Sequence, residues 1–517
     1  MKNKIKVFLV SYSNKINTEV AKKLKDNSVE ILYWIGHGHY FEEILKNKND
    51  FSNTIFHHAL DDDILRAVAP EEIDTDNFLP VDRVITDKLL ECESLFWMMA
   101  DRFEDRKELT LRQIKHQYFE YVKYWSGVLK KMKPDFIIFG TDTPHTAFNF
   151  VIYSVAKILN IKIIIYKKAN GLNPERLIFT NDYKDYTELR EAYKKVQDSD
   201  FTIDDLSDQM KSLYYEQINP MIDSTPFYQT KSSVLAAAKR SKVTPSLSAV
   251  TKNIKSFTLF KTVKLYFEYL FSKRMIFGIG EKIYRYNFQL KIKQYWKNKE
   301  MKRLKKNYEE LQSEVNFSQK YIYVPLHYQP EMSTSPTGGI YDDQMVMIDN
   351  LSSFLPKDWI IYVKENEMQW ARPMGHIGRY YNYYKQIADI KNVYLVSPRV
   401  STFDLTSKSQ AVATITGTAA FESILRSKPT LVFGYTWFMD CEGVLKINDM
   451  NSCKQALEKI ASGYIPDQEK IIKYLGVVEQ VTVKGFVNDK FEKTADVNVK
   501  ESVDNIVKKL INMLNKN

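Results

Sequence analysis

The sequence predicts an α/β protein of two doubly wound, Rossmann-like halves facing a cleft, with a basic helical insertion or linker between them. Two observations predict the halves. Short β-branched runs recur between helical patterns, and each run is apolar on consecutive residues, as in parallel strands buried on both faces. The runs also fall into two groups, one before Tyr166 and one after Lys320. A third observation predicts the insertion. The segment from Lys252 to Lys306 carries sixteen Lys/Arg against Glu268, Glu281 and Glu300, which exceeds the net +10 of the whole chain.

In chain order, the first group comprises "IKVFLV" (Ile5 to Val10), "VEILYWI" (Val29 to Ile35), "DFIIFG" (Asp135 to Gly140) and "IKIIIY" (Ile161 to Tyr166). Between its second and third members, Asp87 to Met132 is charged and helical in period, with Leu90, Leu95, Met98, Phe103, Tyr118, Tyr121, Trp125 and Leu129 as core contacts. Residues 225–256 are Ser/Thr/Lys-rich and read as a linker or loop. The second group runs through "KYIYVPLHY" (Lys320 to Tyr328), "DWIIYVKE" (Asp358 to Glu365), "NVYLVS" (Asn392 to Ser397), "AVATITG" (Ala411 to Gly417) and "PTLVFG" (Pro429 to Gly434). An amphipathic helix closes the sequence, with Val503, Ile506, Val507, Leu510, Ile511 and Leu514 on one side. The expected division is 1–225, an acceptor domain; 226–318, the basic segment; 319–470, a nucleotide-sugar domain; and 471–517, a helical tail.

Composition excludes several classes. With 44% hydrophobic and 27% charged residues over 517 positions, the chain is neither disordered nor fibrous. Cys92, Cys441 and Cys453 are odd in number and lack metal-ligand spacing, which fits a reducing cytoplasm. No run approaches the roughly 18 apolar residues of a membrane span.

In doubly wound sheets ligands bind beyond the carboxyl ends of the strands, so the candidate residues are those following them. After Tyr323 come His327, Gln329, Glu331, Ser333 and Ser335. After Tyr362 come Lys364, Glu365 and Asn366. The stretch "TITGTAAFESILRSKPTLVFG" reads as strand, glycine turn, helix and strand, so Thr416, Gly417 and Thr418 sit where helix amides meet a phosphate and Glu422 can reach a ribose hydroxyl. Each loop also has a plain structural reading: a strand-end histidine, a surface ion pair, an ordinary βαβ turn. In the first half, "GTDTPHTAF" offers Asp142 and His145 as a base for an acceptor hydroxyl, or as helix-capping residues. The acidic run Asp61 to Asp63 and the pair Asp342 and Asp343 offer carboxylates to a cation or form solvated surface, the commoner case for clustered Asp, and no metal site is expected.

The segments "YVPLHYQPE", "YVKE", "TGTAAFESILRSKPTLVFG" and "PDFIIFGTDTPHTAFNFVIYSVAKILNIK" resemble bacterial capsule and surface-polysaccharide glycosyltransferases related to those that move Kdo and other acidic keto sugars. The resemblance implies a GT-B architecture, with the nucleotide on the C-terminal domain and the acceptor on the N-terminal one. It assigns Thr416, Gly417, Thr418 and Glu422 to the donor turn and Lys364 with Glu365 to a second donor loop. The sequence departs from the pattern where CMP-sugar transferases of this architecture often carry His-Pro: the corresponding positions are Asn366 and Glu367. An asparagine amide donates a hydrogen bond but carries no charge.

The expected function is transfer of a sugar, such as an acidic keto sugar from a CMP-linked donor, to a surface polysaccharide or glycolipid. No cofactor is expected beyond the nucleotide-sugar co-substrate, and phosphate stabilisation by amides and lysine leaves a metal dispensable. The alternatives are a nucleotide-sugar epimerase or polyol-phosphate transferase of the same architecture, or a non-catalytic scaffold. The basic segment 252–306 offers lysines and aromatics to an anionic membrane at the inner face of the cell membrane, or packs on the protein. Nucleic acid is not expected, since no recognition fold accompanies the charge.

Overall fold

In the computed structural model the described residues are 4–46, 48–58, 69–101, 110–140, 143–219, 288–329, 334–370 and 378–516. Asp142, Glu331, Ser333, Asp61 to Asp63, the 225–256 linker and the basic segment up to residue 287 lie outside them.

The first sheet contains β1 (Ile5–Val10), β2 (Val29–Gly36), β3 (Ile55–His58), β4 (Phe136–Phe139), β5 (Lys162–Lys168) and β6 (Arg176–Thr180), joined by a strand from far along the chain. The second contains β7 (Gln312–Ser313), β8 (Tyr321–Pro325), β9 (Ile360–Lys364), β10 (Val393–Val396), β11 (Ala411–Thr414), β12 (Thr430–Val432) and β13 (Val444–Lys446). That late strand is β14 (Val483–Lys484), antiparallel to β6. The sheet orders are β14-β6-β5-β4-β1-β2-β3 and β13-β12-β11-β8-β9-β10-β7. All pairings in the second sheet are parallel, and in the first β6 alone runs against the rest, antiparallel to both β5 and β14. Each sheet reverses its strand order once, between β1 and β4 and between β8 and β11. Those switch points are where doubly wound sheets open a crevice.

Local sequence explains the main helices. Asn14 caps Lys15–Asp26 by accepting from the Asn17 amide, and Val20, Ala21 and Leu24 face the core. Thr110 and Gln113 form a reciprocal capping box at the start of Leu111–Met132. The helical run expected over 87–132 contains separate helices, Arg83–Lys88, Leu90–Asp101 and Leu111–Met132, and two of its expected core contacts, Leu90 and Met98, fall on the solvent face and are exposed, while Phe103 lies outside the described residues.

Two expected boundaries shift. The helix Phe288–Glu310, assigned to the insertion, lays Met301, Leu304 and Tyr308 inward, and Leu304 and Tyr308 join the core of the second lobe. The 471–517 segment is no loose tail. It supplies β14, and its last helix, Val499–Asn515, packs Val503, Ile506, Val507 and Leu510 into the core of the first lobe. Contact with that lobe continues through Asn14, whose side chain donates to the Val487 carbonyl at 2.8 Å.

The lobes also share an apolar seam. Leu189, Tyr193, Leu213 and Tyr214 of the first pack in one cluster with Phe421, Trp437, Tyr474 and Leu475. Trp437 donates its indole N–H to the Asn170 carbonyl at 3.0 Å, and Arg426 donates to the Gln217 carbonyl at 2.8 Å. Among the described residues no helix is long and apolar enough to cross a membrane.

Candidate functional site

The switch point of the second sheet joins two loops predicted separately. β8 leads into Leu326 and His327, and β11 into the Thr416-Gly417 turn. His327 Nε2 lies 2.9 Å from Thr414 Oγ1 and accepts from the Thr416 amide at 3.4 Å. Thr414 Oγ1 in turn accepts from the Gly417 amide at 3.3 Å, so its own proton points to His327. This pattern leaves Nε2 unprotonated and assigns the ring proton to Nδ1. A Cβ at Gly417 would stand 2.9 Å from Thr414 Oγ1 and 3.3 Å from His327 Cε1, so the turn requires glycine for close approach.

Gly417 is the N-cap of the helix Thr418–Leu425, and no side chain caps it. Its first amides and the positive end of its dipole therefore face the crevice without a side-chain acceptor. The loop from Thr334 to Gly338 buttresses the turn: Tyr435 donates its amide to Thr337, and Gly434 donates to Ile415.

Lys364 ends β9 and sends its ammonium to the Val400 carbonyl and to Thr402 Oγ1, each at 2.7 Å. Burial lowers its pKa to about 8, and nearby Glu367 only partly offsets that. Tyr323 shares Thr402 as a partner, and the Glu422 carboxylate stands close enough to help push the Tyr323 hydroxyl upward, after burial itself. Lys364, on β9, and Glu422, on the Thr418–Leu425 helix, thus approach one polar corner through Thr402 and Tyr323.

Other predicted residues serve the frame. Glu365 does not line the crevice as expected. It is fully buried and receives Arg379 through Nε at 2.8 Å and Nη2 at 3.1 Å, with the Tyr384 hydroxyl donating at 2.7 Å. Burial opposes the Arg379 charge, but the Glu365 carboxylate outweighs it and holds the guanidinium above its ordinary pKa. Arg379 Nη2 also donates to the His327 carbonyl at 2.9 Å, while Gln344 Oε1 accepts from the His327 amide at 2.6 Å. Gln329 exchanges backbone hydrogen bonds with the Gln369 side chain, both at 2.8 Å, and donates to Thr334. Asn366 Oδ1 caps the short turn Glu367–Trp370 by accepting from Met368. Ser335 is buried beneath the Thr334–Gly338 loop.

In the first lobe His145 precedes the helix Ala147–Ile158 at the β4 edge, with Nδ1 2.9 Å from the Thr143 carbonyl. A carbonyl only accepts, so Nδ1 carries the proton and Nε2 is the basic nitrogen.

Sequence reading missed Arg379, Gln344, Gln369 and Thr402. None stands at a strand end in the sequence; each acts by reaching across to a loop that does. Among the described residues no group of three or more His, Cys, Asp or Glu could hold a metal ion.

Two doubly wound lobes, with an uncapped helix at the second switch point facing the crevice, define a protein of the GT-B class. Residues 237–462 match the family model described as capsule polysaccharide biosynthesis protein. No curated protein matches the chain in sequence. Among solved structures it is similar to UDP-GlcNAc 2-epimerase from Methanocaldococcus jannaschii, at 9% identity over 93% of this chain and 99% of that one, TM-score 0.24. It is also similar to UDP-GlcNAc 2-epimerase from Neisseria meningitidis bound to UDP-GlcNAc, at 12% identity over 99% and 100% of the two chains, TM-score 0.20. HepE from Anabaena, in complex with UDP and glucose, gives 9%, 98%, 100% and 0.22. Likenesses this loose carry no argument about activity.

Proposed function

We propose that the chain is a glycosyltransferase of capsule or surface-polysaccharide synthesis, binding a nucleotide sugar on the second lobe and its acceptor on the first. The observation that carries this reading is the uncapped Thr418–Leu425 helix at the β8/β11 switch point, braced by His327 and Thr414. Amides there take the donor phosphates, Lys364 adds charge from β9, and Glu422 holds the ribose. These groups stabilise the leaving phosphate without calling on a metal. The resemblance favours a CMP-linked acidic keto sugar; Asn366 carries no charge and its Oδ1 holds its own turn, so Lys364 is the cation at that loop.

Thermal-shift titration with CMP, UDP, GDP and CDP tests the reading. A nucleotide at a hundred times its dissociation constant adds about 2.7 kcal/mol of stability, and no shift with any of the four would sink the donor site. Glu422→Gln is expected to weaken the binding nucleotide while leaving the ligand-free melting temperature unchanged. A large apo destabilisation with affinity intact would make Glu422 a framework residue. Donor conversion without acceptor, with the nucleotide still attached, would instead indicate an epimerase.

Lys364 gives a pH signature. Its ammonium is charged below about 8, so nucleotide affinity should be level near neutrality and weaken progressively above pH 8. Ligand-free stability should move the other way. A lysine whose folded pKa lies below its unfolded value near 10.4 destabilises the fold while charged, so this contribution improves as pH rises from about 8 towards about 10.5. Affinity independent of pH over 6.5 to 9.5 would remove Lys364 from the site.

Peripheral membrane contact through 252–306 belongs to the same proposal. Binding to anionic vesicles should fall with added salt, and salt-insensitive or absent binding would discard it.

A further inference from the structure

We infer that the first lobe carries a second anion site, around Lys167 and the start of the Ala147–Ile158 helix, which takes the carboxylate or phosphate of an acidic acceptor. The inference rests on the reading of the second lobe as the donor side.

Lys167 points from β5 to the same face of the first sheet as that helix. It is 8% exposed, and its ammonium meets only Thr143 Oγ1, at 3.3 Å, and the face of the Tyr186 ring, at 5.0 Å. No carboxylate lies within ion-pair reach of it among the described residues. The neighbouring Lys168, by contrast, is paired with Glu175 at 2.6 Å. A buried cation without a counter-charge is costly, and proteins keep one where a ligand supplies the charge.

Two further observations point to the same place. The helix Ala147–Ile158 has Thr146 at its N-cap without a side-chain cap, so its first amides and dipole add positive potential. Asn149, in its first turn, is 2% exposed; its Nδ2 donates to Ser11 Oγ at 2.7 Å, but its Oδ1 has no partner, and neither does Thr146 Oγ1. A cation and helix amides suit an acid group, and two idle acceptor oxygens suit the hydroxyls of the sugar that bears it. The site lies at the carboxyl edge of β4 and β5, on the loop that also holds His145, so an acid group held there places a neighbouring acceptor hydroxyl beside the basic Nε2.

The test titrates inorganic phosphate and glucuronate, with glucose as neutral control, into the parent chain, Lys167→Met and Asn149→Asp, by calorimetry at low salt. Both anions should bind the parent and glucose should not. Lys167→Met should weaken them by about tenfold or more, and Asn149→Asp, which adds a negative charge, should do likewise. Nucleotide affinity should be unchanged in both. Lys167→Met should melt no lower than the parent, because it removes an uncompensated buried charge. Phosphate binding tighter than glucuronate would indicate a phosphate-linked acceptor, and the reverse an acidic glycan. The inference is overturned if neither anion binds the parent, if both variants bind like the parent, or if Lys167→Met unfolds while Asn149→Asp keeps parent affinity. Failure of all nucleotides to bind would remove the donor reading, while the anion titrations still judge this site separately.

Discussion

Arg379→Met is expected to cost about 3–5 kcal/mol of folding stability, the largest single effect foreseen outside the sheet cores. Arg379 and Glu365 are both almost completely excluded from solvent, and the guanidinium is the only cation that reaches this carboxylate among the described residues. Removing it leaves a buried charge with the Tyr384 hydroxyl and the Asn366 amide as its remaining donors. The His327 carbonyl loses its Arg379 bond as well, so the donor turn should loosen and nucleotide affinity fall together with stability. Chemical denaturation of the variant measures the first, and titration the second. Adding Glu365→Gln should restore much of the loss by removing the orphaned charge. A melting temperature close to the parent's in Arg379→Met would show that the pair does not hold the second lobe together.

His145→Ala is expected to lower turnover by roughly 100-fold or more while nucleotide affinity stays near the parent value. The Thr143 carbonyl fixes the ring tautomer and leaves Nε2 to take a proton. The residue belongs to the first lobe and the Thr416–Thr418 turn to the second, so binding and chemistry should separate in the two measured constants. Asp142, two residues before Thr143's neighbour Pro144, is the other candidate, and Asp142→Asn completes the comparison. Full activity in both variants would place the base elsewhere in the first lobe.

How much of this was legible in the sequence follows from how far each feature reaches along the chain. The nine apolar runs became β1, β2, β4, β5, β8, β9, β10, β11 and β12, since central parallel strands declare themselves by continuous burial. The edge strands β3, β7, β13 and β14 and the interior strand β6 were not read. The edge strands are only two to four residues long, β6 has five residues and runs against its neighbours, and the pairing of all five depends on partners that no local window shows. The Thr416-Gly417-Thr418 turn was legible from its own residues, because a glycine between a strand and a helix is a local signal. The two side chains of the Lys364-Glu365 dipeptide part company. Alternation turns one side chain towards the Thr402 corner and the next into Arg379, fourteen residues on, and nothing in the dipeptide announces that choice. Asn149 and Lys167 read as ordinary helix and strand positions; only their missing partners set them apart.

The return of the chain at β14 and the Val499–Asn515 helix has a consequence for biosynthesis. The first lobe covers one face of its sheet with residues made after the second lobe has been translated. A nascent chain that has reached residue 470 therefore holds a first lobe lacking its outer helix and an edge strand, with Ile16, Val20 and Leu177 short of their partners. Folding of the two lobes cannot finish in the order of their synthesis, and the exposed face must be guarded until the last forty or so residues emerge.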